Sequence, residues 1–215
     1  MLVRLIIGAV LLGFSIFASA ESPWEFRIGT VTIDPHETAG DISLLTAGSK
    51  AGVDSDTEPT IMINYAVTKA FRLATFIGPG FSHGLYGVGT IKSLGKVATA
   101  SYDVPTLMFQ YYFDQMYGFE PYLGVGVSYA QFRDEKATSS LNNALGQTSL
   151  DVGSIWASDA QVGLRYHIDK WILDASVVRT NFEPTTARLN TAGVIRSEKI
   201  DLDPYAYLFS VGYAF

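Results

Sequence analysis

The sequence contains no cysteine, and only 17% of its 215 residues are charged. An exported chain without cysteine has no disulfide framework, so its stability must come from packing or from a closed sheet. The charged fraction is below the roughly 25% that is typical of soluble domains. The formal net charge is −6 and basic residues form no cluster, which excludes an electrostatic footprint for nucleic acid. Beyond the N-terminus there is no long apolar run and no sustained helical periodicity.

The single long apolar run, at the N-terminus, is typical of a signal peptide. Arg4 provides the basic start, residues 5–17 the apolar segment, and Ala18-Ser19-Ala20 the small residues that precede cleavage. An uncleaved anchor helix is the alternative, but the run is short for a span of about 20 residues and lacks a basic flank that would stop transfer. We therefore expect residues 1–20 to be removed and residues 21–215 to form one exported domain.

What the chain has in abundance is alternation with a period of two, which is typical of β-strands. At the C-terminus large residues occupy one face, and small residues occupy the other. Neither face is charged, as expected when one face contacts lipid and the other lines a narrow interior. The large face consists of Tyr205, Tyr207, Phe209, Val211, Tyr213 and Phe215.

The same alternation occurs in seven segments upstream, which predicts eight strands in total. Short connections such as Thr68-Lys69 and Asp169-Lys170 alternate with long ones rich in Gly, Ser, Thr, Asn and Asp. Outer-membrane barrels have this arrangement, with tight periplasmic turns and longer external loops. The large faces of the upstream strands begin at Trp24, Ile61, Phe71, Leu107, Leu123, Trp156 and Trp171, and the long connections cover about 34–58, 82–97, 133–149 and 184–199.

These segments predict a barrel that spans a membrane. Lipid offers no hydrogen-bond partners, so a spanning sheet must close on itself. Each segment has room for the roughly 9–11 residues that a tilted strand needs to cross. A soluble lipocalin-like barrel is the alternative, but it requires charged outward faces, which are uncharged here over most of their length. We predict an all-β fold, an eight-stranded antiparallel up-and-down transmembrane β-barrel in the outer membrane of a Gram-negative cell.

Several stretches resemble the OmpW family of outer-membrane proteins in both order and spacing. Residues 104–113 (VPTLMFQYYF) are similar to that family's fourth strand, and residues 121–129 (PYLGVGVSY) to its fifth. The likeness covers essentially the whole mature chain and is weakest in the external loops. Further matching stretches are Phe81-Ser82-His83, residues 161–166 with Trp171, residues 201–204 and residues 212–215.

The resemblance implies a barrel around a narrow hydrophobic channel and passive uptake of small hydrophobic molecules. It also implies a constriction made by two inward apolar side chains, which match Phe76 and Val178 here. A large aromatic residue is common in the family at the position of Val178, so we expect a constriction that is wider or differently placed. Other apolar residues expected to line the lumen are Met62, Met108, Ile172 and Leu208.

Histidine and serine at the start of an external loop raise the question of catalysis on a lipid. His83 follows Ser82 there, but the sequence places no carboxylate nearby to orient the histidine. The resemblance accounts for the motif without catalysis. We therefore expect no catalytic residue, no cofactor and no metal, and we interpret Asp54, Asp56 and Glu58 as a solvated acidic loop rather than a cation site.

Charged residues on the predicted inward faces have two interpretations. Arg27, Arg72 and Arg165, with Glu25 and Asp174, could form an ion-selective lining. Unpaired charges inside a narrow barrel are costly, and eight strands leave little more space than side chains fill. We therefore favour internal ion pairs.

Two function classes remain open from the sequence. The first is a channel for passive uptake of small hydrophobic molecules. The second is a non-transporting barrel that serves as an adhesin, as a phage or bacteriocin receptor or as a membrane stabiliser, and such a barrel would have a lumen packed shut by polar networks. The expected partners are outer-membrane lipid and lipopolysaccharide, small hydrophobic solutes and the barrel-assembly machinery, for which Tyr213 and Phe215 complete the recognised aromatic pattern. We expect a monomer.

Overall fold

The computed structural model describes residues 22–35, 39–41, 49–191, 194–200 and 203–213. The predicted signal peptide, residues 1–20, lies outside the described residues and stays a prediction. His36 and the terminal Phe215 also lie outside them.

The described residues form fifteen β-strands, one α-helix and one short 3-10 turn. The helix is α1 (Ser139–Leu145), and the 3-10 turn covers Lys92–Leu94. The strands are β1 (Trp24–Asp34), β2 (Ala39–Asp41), β3 (Ser49–Val53), β4 (Asp56–Ala66), β5 (Phe71–Ile77), β6 (Phe81–Gly89), β7 (Lys96–Asp103), β8 (Thr106–Tyr112), β9 (Phe119–Ala137), β10 (Thr148–Val152), β11 (Ile155–Ile168), β12 (Trp171–Phe182), β13 (Thr185–Thr191), β14 (Val194–Ile200) and β15 (Tyr205–Tyr213).

Eight of these strands close into an antiparallel barrel, which confirms the predicted fold class. The neighbours around the barrel are β1, β4, β5, β8, β9, β11, β12 and β15, and β15 pairs with β1 to complete the circle. Closure gives every barrel strand a neighbour on both sides, as a sheet in lipid requires. Among the described residues no helix has the length and apolar character needed to cross a membrane.

Strand β11 shows how the alternating sequence produces the barrel wall. Gln161 and Arg165 are buried and point inward, whereas Val162 and Leu164 point outward and are exposed. Apolar side chains on the outer face and polar ones inside reverse the arrangement of a soluble barrel. Lipid contact accounts for this reversal, because a hydrocarbon solvent favours the apolar face.

Aromatic pairs mark the two ends of the lipid-facing surface. At the end with the short turns, the rings of Trp24 and Tyr65 lie 4.8 Å apart. At the other end, Tyr129 and Trp156 lie 4.7 Å apart. The short turns include Gly118 in the left-handed region, with a φ of 86° that favours glycine. By the rule for outer-membrane barrels, the end with the short turns is the periplasmic end.

The long connections, which the sequence analysis described only as external loops, are largely regular. Most of their described residues form β-structure: β9 continues beyond the barrel and pairs with β7, β7 with β6, and β6 with β3. Strands β10, β13 and β14 form a separate three-stranded sheet. Helix α1 was also not predicted, because seven residues are too few to produce a helical periodicity; Thr138 caps it by accepting a hydrogen bond from the Leu141 backbone N–H. Polar sequences form strands here because paired strands satisfy their backbone groups.

Candidate functional site in the barrel lumen

Ion pairs fill the lumen near its periplasmic end. The Glu25 carboxylate lies 3.1 Å from Arg27 Nε, 2.8 Å from Arg72 Nη1 and 2.7 Å from Arg165 Nη2. Asp174 contacts both Arg27 and Arg165. The structure therefore pairs all five charges, as the sequence interpretation favoured.

The sequence interpretation missed a sixth member of this group. The carboxylate of Glu120 lies 3.6 Å from Arg165 and 3.7 Å from Arg72. It also lies 3.1 Å from His167 at the rim. Three guanidinium groups thus face three carboxylates, and the group, which we call the ionic plug, is neutral overall when His167 is neutral. Glu120 follows Phe119 at an even position of β9, so its inward parity was available from the sequence.

A layer of amides lies directly above the ionic plug. Gln110 Nε2 donates to Gln161 Oε1 at 2.7 Å, and Gln161 Nε2 donates to Ser176 Oγ at 3.0 Å. Asn64 donates to Gln110 Oε1 at 3.1 Å and accepts from Arg27 at 3.2 Å, which joins the two layers. These side chains are buried. The periplasmic half of the lumen is therefore packed with bonded polar groups.

Glycine permits this dense packing at Gly163. A Cβ atom there would overlap the phenol ring of Tyr122. That ring stacks on Tyr112 with centroids 4.6 Å apart, and its hydroxyl donates to Asp174 Oδ1 at 3.2 Å. Close approach of the ring to the barrel wall thus depends on the missing side chain.

Above the amides the lumen becomes apolar. Met62, Val178 and Leu208 form a buried cluster, and Val31, Phe76 and Ala206 pack against it. The two residues proposed for the constriction, Phe76 and Val178, therefore lie inside the barrel at one level. Met108 and Ile172 are also buried but do not belong to this cluster. Ile172 pairs with His167 near the periplasmic rim, too low in the barrel to meet the others.

A cavity of about 320 Å³ lies on top of this apolar cluster. Phe76, Val178 and Leu208 line its lower part. Its polar lining comes from side chains that the sequence analysis did not single out: Thr60, Asp103, Thr106, Ser128, Asp159 and Thr180.

The most buried charge in the cavity is Asp159, which is 5% exposed. Its Oδ2 accepts from Ser128 Oγ at 2.6 Å, and its Oδ1 accepts from Thr180 Oγ1 at 2.7 Å. Among the described residues no ion pair includes Asp159. Asp159 lies two residues before Gln161 on β11, and this spacing in the sequence already indicated that its side chain faces the lumen.

The barrel wall is interrupted beside the cavity. The ladder between β5 and β8 ends at Thr75 and Leu107, and pairing resumes only at Phe81 and Tyr102, between β6 and β7. The chain segments between these pairs, residues 76–80 and 103–106, line the cavity and do not pair with each other. Each contains a proline, Pro79 and Pro105, which has no N–H to donate across the gap.

An ion pair lies at the rim of this gap. Arg133 on β9 contacts both carboxylate oxygens of Asp103. A Cβ atom at Gly80 would overlap this pair, so the glycine allows the two charges to lie against the interrupted strand.

His83 has a partner at each ring nitrogen, and the Asp54 carboxylate lies 4.0 Å from Nδ1, a neighbour that the sequence analysis did not anticipate. Nδ1 lies 2.6 Å from the Asp54 carbonyl oxygen and Nε2 lies 2.9 Å from the Tyr102 hydroxyl, so both ring nitrogens are engaged. A carbonyl only accepts, so Nδ1–H donates to it and Nε2 accepts from Tyr102. Burial and the Asp56 carboxylate raise the pKa of the Tyr102 hydroxyl, which keeps it protonated as a donor. Ser82 instead bonds to Ser101 at 3.2 Å.

The acidic residues interpreted as a loop lie at the start of β4: Asp54 precedes the strand, and Asp56 and Glu58 belong to it. Asp54 accepts from the Gly84 backbone N–H, and Asp56 accepts from the N–H groups of Thr57 and Ser82. Within the described part of the chain, no three His, Asp or Glu side chains are arranged to hold a metal ion.

Comparisons with known proteins agree with this architecture. The family model described as "OmpW family" matches residues 23–215. Outer membrane protein W of Vibrio cholerae is 30% identical over 210 residues, which cover 96% of this chain and 95% of that protein. Outer membrane protein AlkL of Ectopseudomonas oleovorans is 30% identical over 184 residues, 83% of this chain and 76% of that protein. The crystal structure of the outer membrane protein OprG from Pseudomonas aeruginosa superposes with a TM-score of 0.76 at 28% identity, covering 91% of this chain and 97% of that one.

Proposed function

Because this chain belongs to the OmpW family of outer-membrane β-barrels, we propose that it is a passive channel that admits small hydrophobic molecules into the apolar cavity of its lumen. The observation that carries the proposal is the cavity of about 320 Å³ above Met62, Val178 and Leu208. Small-molecule sites span roughly 300–1,000 Å³ and are mostly apolar, so this cavity suits a small solute.

The exit that we propose is sideways, through the interruption of the barrel wall. A straight path to the periplasm would have to displace the bonded amides around Gln110 and then the ionic plug. Removing one partner of a buried ion pair costs roughly 3–5 kcal/mol, far more than passive diffusion of an apolar solute can supply. The gap between residues 76–80 and 103–106 opens beside the cavity instead. It lies at the level of Tyr129, whose N–H donates to Pro105 at the extracellular end of the lipid-facing surface.

The non-transporting alternative has one observation in its favour. A lumen packed shut by polar networks is what a receptor or membrane stabiliser would have, and the periplasmic half of this lumen fits that description. The extracellular half does not, because it holds an apolar cavity next to an interrupted wall. A stabiliser would gain nothing from either feature, since an apolar void forfeits packing contacts and an interrupted ladder forfeits hydrogen bonds.

We further propose that the barrel works as a single chain. Each barrel strand pairs with two neighbours over most of its length, so the spanning sheet offers a second copy no continuous free edge. Cleavage after Ala20 and recognition of Tyr213 and Phe215 by the assembly machinery belong to the same proposal.

The experiment compares two valine-to-tryptophan variants in intact cells whose lipopolysaccharide leaflet limits entry of an apolar solute. Val104→Trp adds bulk at the gap, whereas Val162→Trp adds the same bulk on the lipid-facing side of β11, where it meets only lipid. We expect uptake of a radiolabelled monoterpene to fall severalfold in Val104→Trp and to stay at the parental rate in Val162→Trp. Equal uptake by parent, both variants and cells without the protein would refute the channel and leave the receptor or stabiliser in its place. If Val104→Trp cells take up the monoterpene at the parental rate while cells without the protein take it up more slowly, the sideways exit is refuted.

A further inference from the structure

A carboxylate in an apolar cavity without a cationic partner is energetically unfavourable, and Asp159 is in that position. Its two oxygens accept one hydroxyl hydrogen each, from Ser128 and Thr180. An ionised carboxylate has about four acceptor sites, so these two donors leave capacity unused. Burying a charge is costly unless it is paired as well as hydrogen-bonded.

Arginines on the strands around Asp159 are paired with other carboxylates, among them Arg179 next to Thr180, which pairs with Asp203. Arg27 and Arg165 belong to the ionic plug, which Gln161 and its amide partners separate from Asp159 along β11. Arg133, at the rim of the gap, pairs with Asp103. None of these groups therefore neutralises Asp159.

The donors around Asp159 also form a polar track that leads in from the gap. Thr106, beside Pro105, has its hydroxyl 2.8 Å from Ser128 Oγ. Ser128 donates in turn to Asp159. The opposite side of the cavity is apolar, with Phe76, Val178 and Leu208. The cavity thus has a charged acceptor on one side and an apolar surface on the other, which is complementary to an amphipathic molecule.

We propose that Asp159 determines specificity in this cavity by binding the ammonium head of small amphipathic amines, whose alkyl tails lie against Val178 and Leu208. An ammonium group supplies both the missing positive charge and additional N–H donors, whereas an alcohol supplies one hydrogen bond and a hydrocarbon supplies neither. The volume of about 320 Å³ restricts the ligand to a short or medium chain. This inference rests on the proposed function, because it assigns a ligand class to the same cavity.

The test is a titration of the protein in lipid nanodiscs, followed by the NMR signals of the Val178 and Met62 methyl groups. The probes are octylammonium, 1-octanol and octanoate, which share a tail and differ in the head group. We expect octylammonium to bind about tenfold more tightly than 1-octanol, the scale of one charge-assisted hydrogen bond, and octanoate to bind most weakly. Asp159→Asn keeps the shape but removes the charge, and it should reduce octylammonium affinity to that of 1-octanol while 1-octanol itself is unaffected. Asp203→Asn, the same change at an acid outside the cavity that pairs with Arg179, should alter neither affinity.

The outcomes separate this inference from the proposed function. The inference is wrong if 1-octanol shifts the methyl signals but octylammonium binds no more tightly. It is also wrong if Asp159→Asn still binds octylammonium more tightly than 1-octanol. In either case Asp159 is only a structural acceptor for Ser128 and Thr180. If no probe shifts the methyl signals of the parent, the cavity is not a solute site, and the proposed function fails with it. The preference of the parental protein decides the question even if Asp159→Asn does not fold.

Discussion

Replacing Glu25 by glutamine tests whether the ionic plug holds the barrel together. The Glu25 carboxylate lies 2.7–3.1 Å from nitrogen atoms of Arg27, Arg72 and Arg165. Glutamine has nearly the same shape but no charge. The plug then holds three guanidinium groups against two carboxylates, so one positive charge is left uncompensated inside the barrel.

The expected cost follows from the burial of these groups. Removing one partner of a buried ion pair costs roughly 3–5 kcal/mol, because the remaining charge stays desolvated. The Glu25 side chain is 17% exposed at the periplasmic end, where water reaches part of it, and we therefore expect the lower end of that range, about 3 kcal/mol. This corresponds to about a hundredfold change in the unfolding equilibrium.

The assay is urea unfolding of the protein refolded into lipid, followed by tryptophan fluorescence and by the heat-dependent mobility of the folded barrel on gels. Glu183→Gln provides the matched control, since Glu183 is exposed after β12 and a surface change of this kind should stay within about 0.5 kcal/mol. Combining Glu25→Gln with Arg72→Gln restores neutrality, with two guanidinium groups against Glu120 and Asp174, and should recover much of the loss. If Glu25→Gln unfolds with the stability of Glu183→Gln, or if the double variant is less stable than the single one, charge balance does not stabilise the plug.

Two further pairs of variants address the lumen and the lipid face. Val178→Trp should fill part of the cavity and slow uptake of a bulky apolar solute. Phe76→Ala should widen the lumen at the apolar cluster, which should speed uptake or reduce discrimination between solutes of different width. If both variants fold and transport at the parental rate, the constriction is not formed by Phe76 and Val178. Val162→Arg puts a charge midway between Trp156 and the aromatic residues at the periplasmic end, and it should lower the free energy of unfolding by about 2–4 kcal/mol. Val211→Arg lies next to Tyr213, at the periplasmic end itself, and should lower that free energy by only about 0–1 kcal/mol. Equal unfolding midpoints for the two arginine variants would show that the assigned depths are wrong.

Parity along the strands could be derived from the sequence alone. Side chains alternate strictly in a strand, and lipid on one side demands an apolar face, so a single pattern specifies both faces. For this reason the inward orientation of Phe76, Val178 and Arg165 followed from alternation, and the pairing of the inward charges followed from the cost of isolated ions. The family resemblance predicted the same barrel independently of this alternation.

The position of each inward side chain along the barrel axis could be read only from the tertiary structure. Met108 and Ile172 have the inward parity of Met62 and Leu208 but lie outside their cluster, because the stagger between neighbouring strands determines which residues meet at one level. Alternation within one strand contains no information on that stagger.

The same limit explains the two features on which the proposals depend. The interrupted wall arises where Pro79 and Pro105 fall on adjacent strands at matching heights, and each proline by itself predicts only a local break. Alternation predicted that Asp159 points inward. It lacks a cationic partner because Arg27 and Arg165 lie lower in the barrel, paired with Glu25 and Asp174, and the sequence did not reveal this. The sequence by itself determined the barrel, its two faces and the kinds of side chain inside; the register between strands decided which of them meet, where the lumen is sealed and where it is open.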